Sequence, residues 1–367
     1  MNKSLILALI ISLFLVGCTK KEPAIEKPPI IPIDDNEPVE HKEETPQNDP
    51  ILHVNPSTFH FVATFLANDR ILYVEKEGNL YQLKSFHITT GESEVIYEDE
   101  AFITDVFVHP DSEHLLIHTS ENNDSALVKI IKLDGTLEHE IEISSTELSI
   151  EWNAIDPKKV LFTAFHEDWS FDLFVFDGHS ESLDLLLLDD PFPKWFGDGQ
   201  IASADFEHPL DGGEITITDS KTLKSRKIGI KDAIFFDTFK DSMLVVEAPQ
   251  DGISSYSLID SKGEKKVLMN MPAISNYSEW LVPEVEWIHE KEFFLLAPQE
   301  GGQLDQLNSP FQLMHVSDGN AIPIAKDLEW NPMNCSSDGK LCMVGYTKEE
   351  MVHMETGERR NWIQIEE

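Results

Sequence analysis

The stretch EWIHEKEFFLLAPQEGGQLDQLNSPFQLMHVSDGNAIPIAKDLEW (residues 286–330) contains one complete unit of a repeat that runs through most of the chain. It begins with Glu286-Trp287 and ends where the next unit starts, at Glu329-Trp330. Within it, short apolar runs such as Phe311–Ser317 alternate with turn residues, and no convincing amphipathic helix is present. A unit of about 43 residues made of short strands is typical of one β-propeller blade.

Several markers recur with this period. Glycine-bearing turns occur at positions 91, 135, 178, 263, 319 and 357, and the polar turn 219–222 fills the double gap after the third of them. The tripeptide at 151–153 repeats at 329–331, and the pentapeptide at 248–252 is echoed at 297–301. Seven turns predict an all-β fold, a β-propeller of seven four-stranded blades; six blades is the alternative, if one terminal unit lies outside the ring.

The period also predicts where the blades begin. We expect starts near residues 57, 101, 146, 191, 231, 272 and 328, with an insertion in the sixth blade between Pro298 and Pro310. Trp152, Trp287 and Trp330 take equivalent positions in their units, which predicts that they pack between blades.

The first 56 residues have a different character. Lys3 precedes an apolar run at 5–16, which has the proportions of a signal peptide and is too short to span a membrane. The sequence Leu15-Val16-Gly17-Cys18 resembles the bacterial lipobox, which implies cleavage after residue 17 and lipidation of Cys18. Residues 18–56 are proline-rich and acidic, so we predict an extended tether before a propeller at 57–367.

With the lipobox, the acidic tether and the repeats combined, the chain resembles the YqgU-like propeller lipoproteins of Gram-positive bacteria. The resemblance implies a six-bladed propeller without an assigned enzymatic activity. It also implies a membrane-anchored protein on the outer, extracytoplasmic face of the cell membrane. It supplies no site residues.

The charge of the chain excludes some partners. With 67 acidic and 28 basic residues, the net charge is −39, which argues against a nucleic-acid partner.

Three cysteines are too few for a disulfide scaffold. Two of them flank the turn Asp338-Gly339, and the hairpin register would place Cys335 opposite Cys342. We therefore predict a disulfide there, with two reduced, buried cysteines as the alternative.

Topology predicts where a ligand would bind, because the loops between second and third strands share one face with the connections between blades. Aromatic rings beside carboxylates and amides on that face suit a peptide or a saccharide. The same carboxylates would suit Ca²⁺, although we expect no cofactor other than the lipid; a solvated acidic surface is the alternative. The candidate ligand-binding residues are Glu167, Asp168, Trp169, Trp195, His208, Trp280, Gln303 and Asp305.

Two functions compete on these grounds. The first is a non-enzymatic binding or scaffold module with a protein or peptide partner, since anionic wall polymers would be repelled by the acidic surface. The second is a propeller hydrolase or lyase that acts on a sugar or lactone, with Asp168, Asp190 and Asp211 as acid, base or metal ligand. The sequence favours the first and leaves the partner and the oligomeric state open.

Overall fold

The structure, a computed structural model of the chain, describes residues 49–122, 124–206 and 210–366. These residues form seven antiparallel sheets of four strands each, and within every sheet the strands follow the order of the chain. The predicted all-β propeller is confirmed, with seven blades rather than six.

The strands of the first three blades follow a short strand, β1 (Leu52–Val54). Blade 1 contains β2 (Phe59–Ala67), β3 (Arg70–Glu77), β4 (Leu80–His87) and β5 (Ser93–Asp99). Blade 2 contains β6 (Phe102–Val108), β7 (His114–Asn122), β8 (Ser125–Lys132) and β9 (Leu137–Ser144). Blade 3 contains β10 (Glu147–Trp152), β11 (Lys159–Phe165), β12 (Phe171–Asp177) and β13 (Ser182–Leu186).

The remaining blades follow the same plan. Blade 4 contains β14 (Lys194–Phe196), β15 (Gln200–Asp205), β16 (Glu214–Asp219) and β17 (Ser225–Lys227). Blade 5 contains β18 (Ala233–Phe239), β19 (Ser242–Glu247), β20 (Ile253–Asp260) and β21 (Lys265–Pro272) and is followed by β22 (Ile274–Ser275). Blade 6 contains β23 (Glu284–His289), β24 (Glu292–Pro298), β26 (Phe311–Ser317) and β27 (Asn320–Leu328), with β25 (Gly302–Gln303) and a 3₁₀ helix (Leu304–Gln306) between β24 and β26. Blade 7 contains β28 (Met333–Cys335), β29 (Leu341–Val344), β30 (Glu350–His353) and β31 (Arg359–Asn361) and is followed by β32 (Ile363–Ile365).

All seven blades run in the same direction, which gives the propeller two different faces. The loops between second and third strands and the connections between blades lie at one face, called here the upper face. The turns between first and second strands and between third and fourth strands lie at the other, the lower face. The seven predicted turns all fall between third and fourth strands, so they are on the lower face.

The ring is closed by a clasp made of β1 and β32. These strands pair in parallel, with Leu52 opposite Ile363, whereas all four strands of blade 7 come from the carboxyl-terminal part of the chain. Trp362, fully buried, lies with its ring 6.0 Å from that of Phe86 in blade 1. Its indole N–H donates to the carbonyl of Lys348 in blade 7 at 2.8 Å. The clasp therefore fills the seam between the first and last blades with apolar side chains.

Two of the three predicted interblade tryptophans pack against the preceding blade. The ring of Trp152 lies 4.9 Å from that of His109, and Trp287 stacks on Phe239 at 6.1 Å. Trp330 does not, and the prediction for it is wrong. It precedes β28 in the connection between blades 6 and 7 and is 38% exposed, because the insertion between β24 and β26 lengthens blade 6 and a 43-residue step from Trp287 ends before β28 begins.

Two predicted boundaries also differ from the structure. Blade 6 begins at Glu284 rather than near 272, because residues 273–283 form a long connection. The folded part starts before residue 57, since β1 belongs to the clasp. The predicted signal peptide, Cys18 and most of the predicted tether lie outside the described residues. Within residues 49–122, 124–206 and 210–366, no helix is long and apolar enough to span a membrane.

Candidate functional site

The upper face carries the exposed aromatic side chains of the propeller. Seven aromatic residues among the described ones are substantially exposed, and all seven lie at the upper end of a first strand, in a loop between second and third strands or in a connection between blades. They are Phe102, Trp169, Phe192, Phe206, Tyr277, Trp330 and Tyr346. The exposed large residues of the lower-face turns, among them Leu133, Ile155 and Leu223, are aliphatic. Aromatic residues are enriched at protein interfaces, and tryptophan and tyrosine are common among the residues that dominate binding energy, so this distribution distinguishes one face from the other.

The two faces also differ in charge. In the described upper-face loops, the only lysines are Lys231 and Lys348, and no arginine is present. The lower-face turns contain seven lysines, at positions 158, 221, 224, 240, 262, 291 and 340. Acidic residues outnumber lysines on both faces, and the upper face, which has fewer lysines, is the more negative of the two. A basic surface would be attracted there.

One upper-face turn exposes a tryptophan in an unusual backbone conformation. In blade 3, Trp169 is 85% exposed and has a φ of 66°, the left-handed region in which a bulky side chain is rare. The turn is closed by bonds from the Trp169 N–H to the His166 carbonyl and from the His166 N–H to the Ser170 carbonyl. Asp168 accepts from the hydroxyl and the backbone N–H of Ser170, which orders the turn. Glu167 is exposed beside it.

A second part of the upper face is built from two long loops that pair with each other. The connection 273–283 and the insertion 299–310, called here the paired loops, are joined by the parallel strands β22 and β25. Gln303 accepts from the Ser275 hydroxyl at 3.1 Å, and Asp305 accepts from the Tyr277 hydroxyl at 3.1 Å. Tyr277 is exposed and, like Trp169, has a left-handed backbone, with a φ of 77°.

The paired loops are also fixed to blade 4. The indole N–H of Trp280 donates to the Leu210 carbonyl at 2.9 Å, so its polar edge is used within the propeller while its ring remains half-exposed. Of the predicted ligand-binding residues, the structure thus brings Trp280, Gln303 and Asp305 into one surface. His208 lies outside the described residues.

Trp195 has a different role from the predicted one. It is 3% exposed and packs between blades 3 and 4, and its indole N–H donates to the Glu151 carbonyl at 3.1 Å. The prediction that it contacts a ligand is wrong, because its position in β14 points the side chain into the seam between blades.

The three carboxylates of the enzymatic alternative occupy separate environments. Asp190 is buried, and its two oxygens accept from the backbone N–H groups of Phe192 and Ala204, which fixes the connection between blades 3 and 4. Asp168 is engaged in its own turn, and Asp211 is exposed in the long loop of blade 4. Throughout the described part of the chain, no three histidine, cysteine or carboxylate side chains are arranged to hold a metal ion.

Polar side chains link the first strands around the central channel. Lys194 Nζ lies 2.9 Å from Glu151 Oε2 and 3.3 Å from Asp237 Oδ1. The indole N–H of Trp287 donates to the other oxygen of Asp237 at 2.8 Å. These contacts connect blades 3, 4, 5 and 6 in sequence. The charged side chains of Glu151, Lys194 and Asp237 are thus paired with one another.

The opposite side of the channel has a similar chain of contacts. The Thr64 hydroxyl donates to Asn334 Oδ1 at 2.9 Å, and the Asn334 amide donates to Glu286 Oε1 at 3.4 Å. Lys348 enters from the upper face and donates to the Ala63 carbonyl at 2.6 Å. A cavity of about 420 Å³, lined in part by Thr64, Glu286 and Asn334, opens at the lower end.

Burial controls the protonation of the channel groups. It raises the pKa of Glu286 to about 7, although the nearby Lys348 ammonium opposes the shift. Burial also lowers the pKa of Lys348, against the attraction of Glu286 and Asp105. Burial would lower the pKa of Lys194 as well, but the Glu151 and Asp237 carboxylates raise it above its ordinary value. The ionisable side chains that line the channel therefore shift one another's pKa values, and Glu286 loses its proton near neutral pH.

The two cysteines of blade 7 lie in a hairpin, as the register predicted. Cys335 is directly opposite Cys342, with Cα atoms 4.0 Å apart, and the sulfurs are joined in a disulfide. The hairpin turn is closed by a bond from the Gly339 N–H to the Ser336 carbonyl. The bridge lies beside the seam between blades 6 and 7 and staples the shortest blade locally.

Sequence reasoning missed several exposed aromatic residues of this face. Tyr277, Phe192 and Tyr346, the last of them 84% exposed, were not among the predicted ligand-binding residues. A usable signal was present for Tyr346, since it follows Gly345 in the loop between second and third strands of the last repeat. Applying the repeat to every such loop would have identified it.

Comparison with known proteins agrees with the propeller fold, although the family description gives six blades and this structure has seven. Residues 87–345 match the family described as YqgU-like 6-bladed beta propeller domain, and this region includes all of blades 2 to 6 and parts of blades 1 and 7. The chain is 21% identical over 304 residues to the uncharacterized lipoprotein YqgU of Bacillus subtilis (strain 168), covering 82% of this chain and 83% of the relative.

Solved structures show the same fold. The 1.18 Å crystal structure of the uncharacterized protein lmo1340 from Listeria monocytogenes EGD-e matches with a TM-score of 0.78 at 19% identity, covering 86% of this chain and 98% of that chain. The β-propeller domain of the Trilobed protease from Pyrococcus furiosus, described as having an open velcro topology, matches with a TM-score of 0.54 at 14% identity, covering 84% and 99%. Since the family match extends over well more than half of the residues, this chain belongs to the YqgU-like β-propeller family.

Proposed function

We propose that this protein is an extracytoplasmic lipoprotein, anchored through a lipid on Cys18, whose propeller binds a protein partner through the upper face. The observation that carries the proposal is the placement of the seven exposed aromatic side chains on that face. An aromatic-rich surface on one side of a rigid scaffold is the composition of a protein-docking site. The name of the Bacillus subtilis relative supports the lipid anchor.

Charge narrows the chemistry of the partner. The net charge of −39 and the scarcity of lysine in the described upper-face loops favour a partner with a basic surface. Anionic wall polymers and nucleic acids would be repelled. A neutral saccharide would stack on the aromatic rings and donate hydrogen bonds to carboxylates but would gain no charge attraction from them.

The point where the chain enters the propeller is compatible with this role. Asp49 pairs with Arg360 at 3.3 Å, and Pro50 lies beside Gly91, in the lower-face turn of blade 1. A segment that leads from a lipid anchor to Asp49 therefore joins the propeller at the lower face. The upper face, with its aromatic side chains, is opposite the attachment point.

Site-specific photocrosslinking in living bacteria tests the proposal. A photoreactive phenylalanine analogue replaces Tyr346 on the upper face, and the matched control replaces Leu223 on the lower face. We expect a discrete adduct with a protein of basic surface from position 346 and none from position 223. An equal pattern from both positions, or no adduct from position 346, would overturn the docking role of the upper face.

A further inference from the structure

Three turns of the propeller share one hydrogen-bond pattern, and in each the fourth residue has a left-handed backbone. In each, the N–H of the fourth residue donates to the carbonyl of the first, and the N–H of the first donates to the carbonyl of the fifth. The turns span residues 132–136, 166–170 and 260–264. The fourth residue is Gly135 with a φ of 85°, Gly263 with a φ of 81°, and Trp169 with a φ of 66°. Glycine is the residue that this left-handed position favours.

Trp169 therefore occupies a position where glycine would serve the fold better. A side chain in the left-handed region crowds the backbone, and Trp169 recovers little by packing, since it is 85% exposed. The two sister turns are on the lower face, whereas the turn of Trp169 is on the upper face. Exposed side chains in the left-handed region also occur at Leu223 and Tyr277, so this conformation alone assigns no role; Trp169 is distinguished by a large indole that is 85% exposed and lies beside carboxylates.

The surroundings of Trp169 indicate what it contacts. Glu167 and Asp168 precede it in the turn, and Asp172 follows at the start of β12. An indole face beside carboxylates is suited to an arginine, whose guanidinium stacks on the ring while its N–H groups bond to a carboxylate. A lysine ammonium would gain the charge attraction but less of the stacking.

We infer that Trp169 is a binding residue that stacks on an arginine side chain from a basic segment of the partner. The inference rests on the proposed docking role of the upper face and makes it more specific. The 166–170 turn is then one arginine-binding position of that face. The left-handed conformation of Trp169, which the fold itself does not need, keeps the indole in solvent.

The test uses the detergent-solubilised full chain and two fluorescein-labelled 12-residue peptides. One peptide contains four arginines spaced by glycine and serine, and the other contains four lysines at the same positions. The variants are Trp169→Gly and Trp169→Asn, since both residues tolerate the left-handed region. The matched control is Leu223→Gly, which removes another exposed side chain from a left-handed position (φ 56°) on the lower face.

We expect the arginine peptide to bind the natural chain more tightly than the lysine peptide at 0.15 M salt. Both substitutions at position 169 should weaken arginine-peptide binding by about fivefold, and Leu223→Gly should leave it unchanged. Trp169→Gly should also raise the melting temperature by roughly 1–3 °C, because the strain is relieved. The raised melting temperature shows that the variant is folded, so that weaker binding reports a lost contact.

Other outcomes overturn the inference. No binding of the arginine peptide, equal binding by the Trp169 variants, or an equal loss in Leu223→Gly would each show that Trp169 is not an arginine contact. If position 346 still crosslinks to a basic partner, the docking role stands without the arginine site. If position 346 gives no adduct, the proposed function fails independently of the peptide result.

Discussion

Replacing Glu286 by glutamine should stabilise the propeller at alkaline pH and have a much smaller effect at acidic pH. Glutamine has the shape of the protonated carboxyl group and keeps an oxygen that accepts from the Asn334 amide. The pKa of Glu286 is raised to about 7 in the folded chain from an ordinary value of 4.5, chiefly by burial. A raised carboxyl pKa means that the folded chain binds the Glu286 proton more tightly than the unfolded chain does. The stability gained from this proton is complete at low pH and is lost as the pH rises through about 7.

The magnitude follows from the shift. At pH 8 Glu286 is ionised in both states. In the unfolded chain, where its pKa is the ordinary 4.5, ionisation carries no penalty, whereas in the folded chain it occurs against the burial that raises the pKa to about 7. At pH 5 the folded chain holds the proton and the unfolded chain has lost most of it. With about 1.4 kcal/mol for each pKa unit, the natural chain loses roughly 2 kcal/mol of unfolding free energy from pH 5 to pH 8 through this residue.

Urea unfolding followed by tryptophan fluorescence at pH 5 and pH 8 measures the effect. Glu286→Gln should gain roughly 2 kcal/mol more at pH 8 than at pH 5. The control is Glu290→Gln, an exposed residue in a turn of the same blade, for which no such difference is expected. A gain that does not change with pH, or a larger gain at pH 5, would refute the interpretation that burial controls the charge of the channel.

Two further predictions concern the closure of the ring and the staple of blade 7. Trp362→Ala should lower the unfolding free energy by roughly 3–5 kcal/mol because it empties the seam at the clasp. By calorimetry, the exposed control Trp169→Ala should cost less than about 1 kcal/mol, and a similar cost for both would contradict a closing role for the clasp. Cys335→Ser should cost roughly 2 kcal/mol of unfolding free energy, because the unfolded chain regains the loop entropy that the bridge removes. An intact mass that shows free thiols at both Cys335 and Cys342 in the natural protein would contradict the bridge.

Much of the fold followed from the sequence because its determinants are local. A turn such as 132–136 favours glycine at one position, and a glycine-bearing turn recurs in six of the seven repeats with a polar turn in the other, so the seven blades could be counted from the turns. The Cys335–Cys342 pairing depended only on the register of one hairpin. The long connection 273–283 misplaced the start of blade 6, and the insertion within blade 6 misplaced Trp330.

The site was predictable at the level of the face but not of the side chain. Topology assigned the correct loops, yet whether a tryptophan in them points outward depends on packing between blades. Trp195 turns into the seam between blades 3 and 4, whereas Trp169 stays in solvent. The channel network was missed because Glu286 and Lys348 belong to different blades and come close only when neighbouring blades pack.

Amide hydrogen exchange on the complex with the crosslinked partner tests the central claim most directly. We predict that bound partner slows exchange in the upper-face loops, in particular at 166–170, 273–283 and 345–349. The lower-face turns that contain Gly135 and Gly263 should exchange at the rate of the free protein. Protection of the lower-face turns, with the upper-face loops unchanged, would contradict the assignment of the upper face as the docking surface.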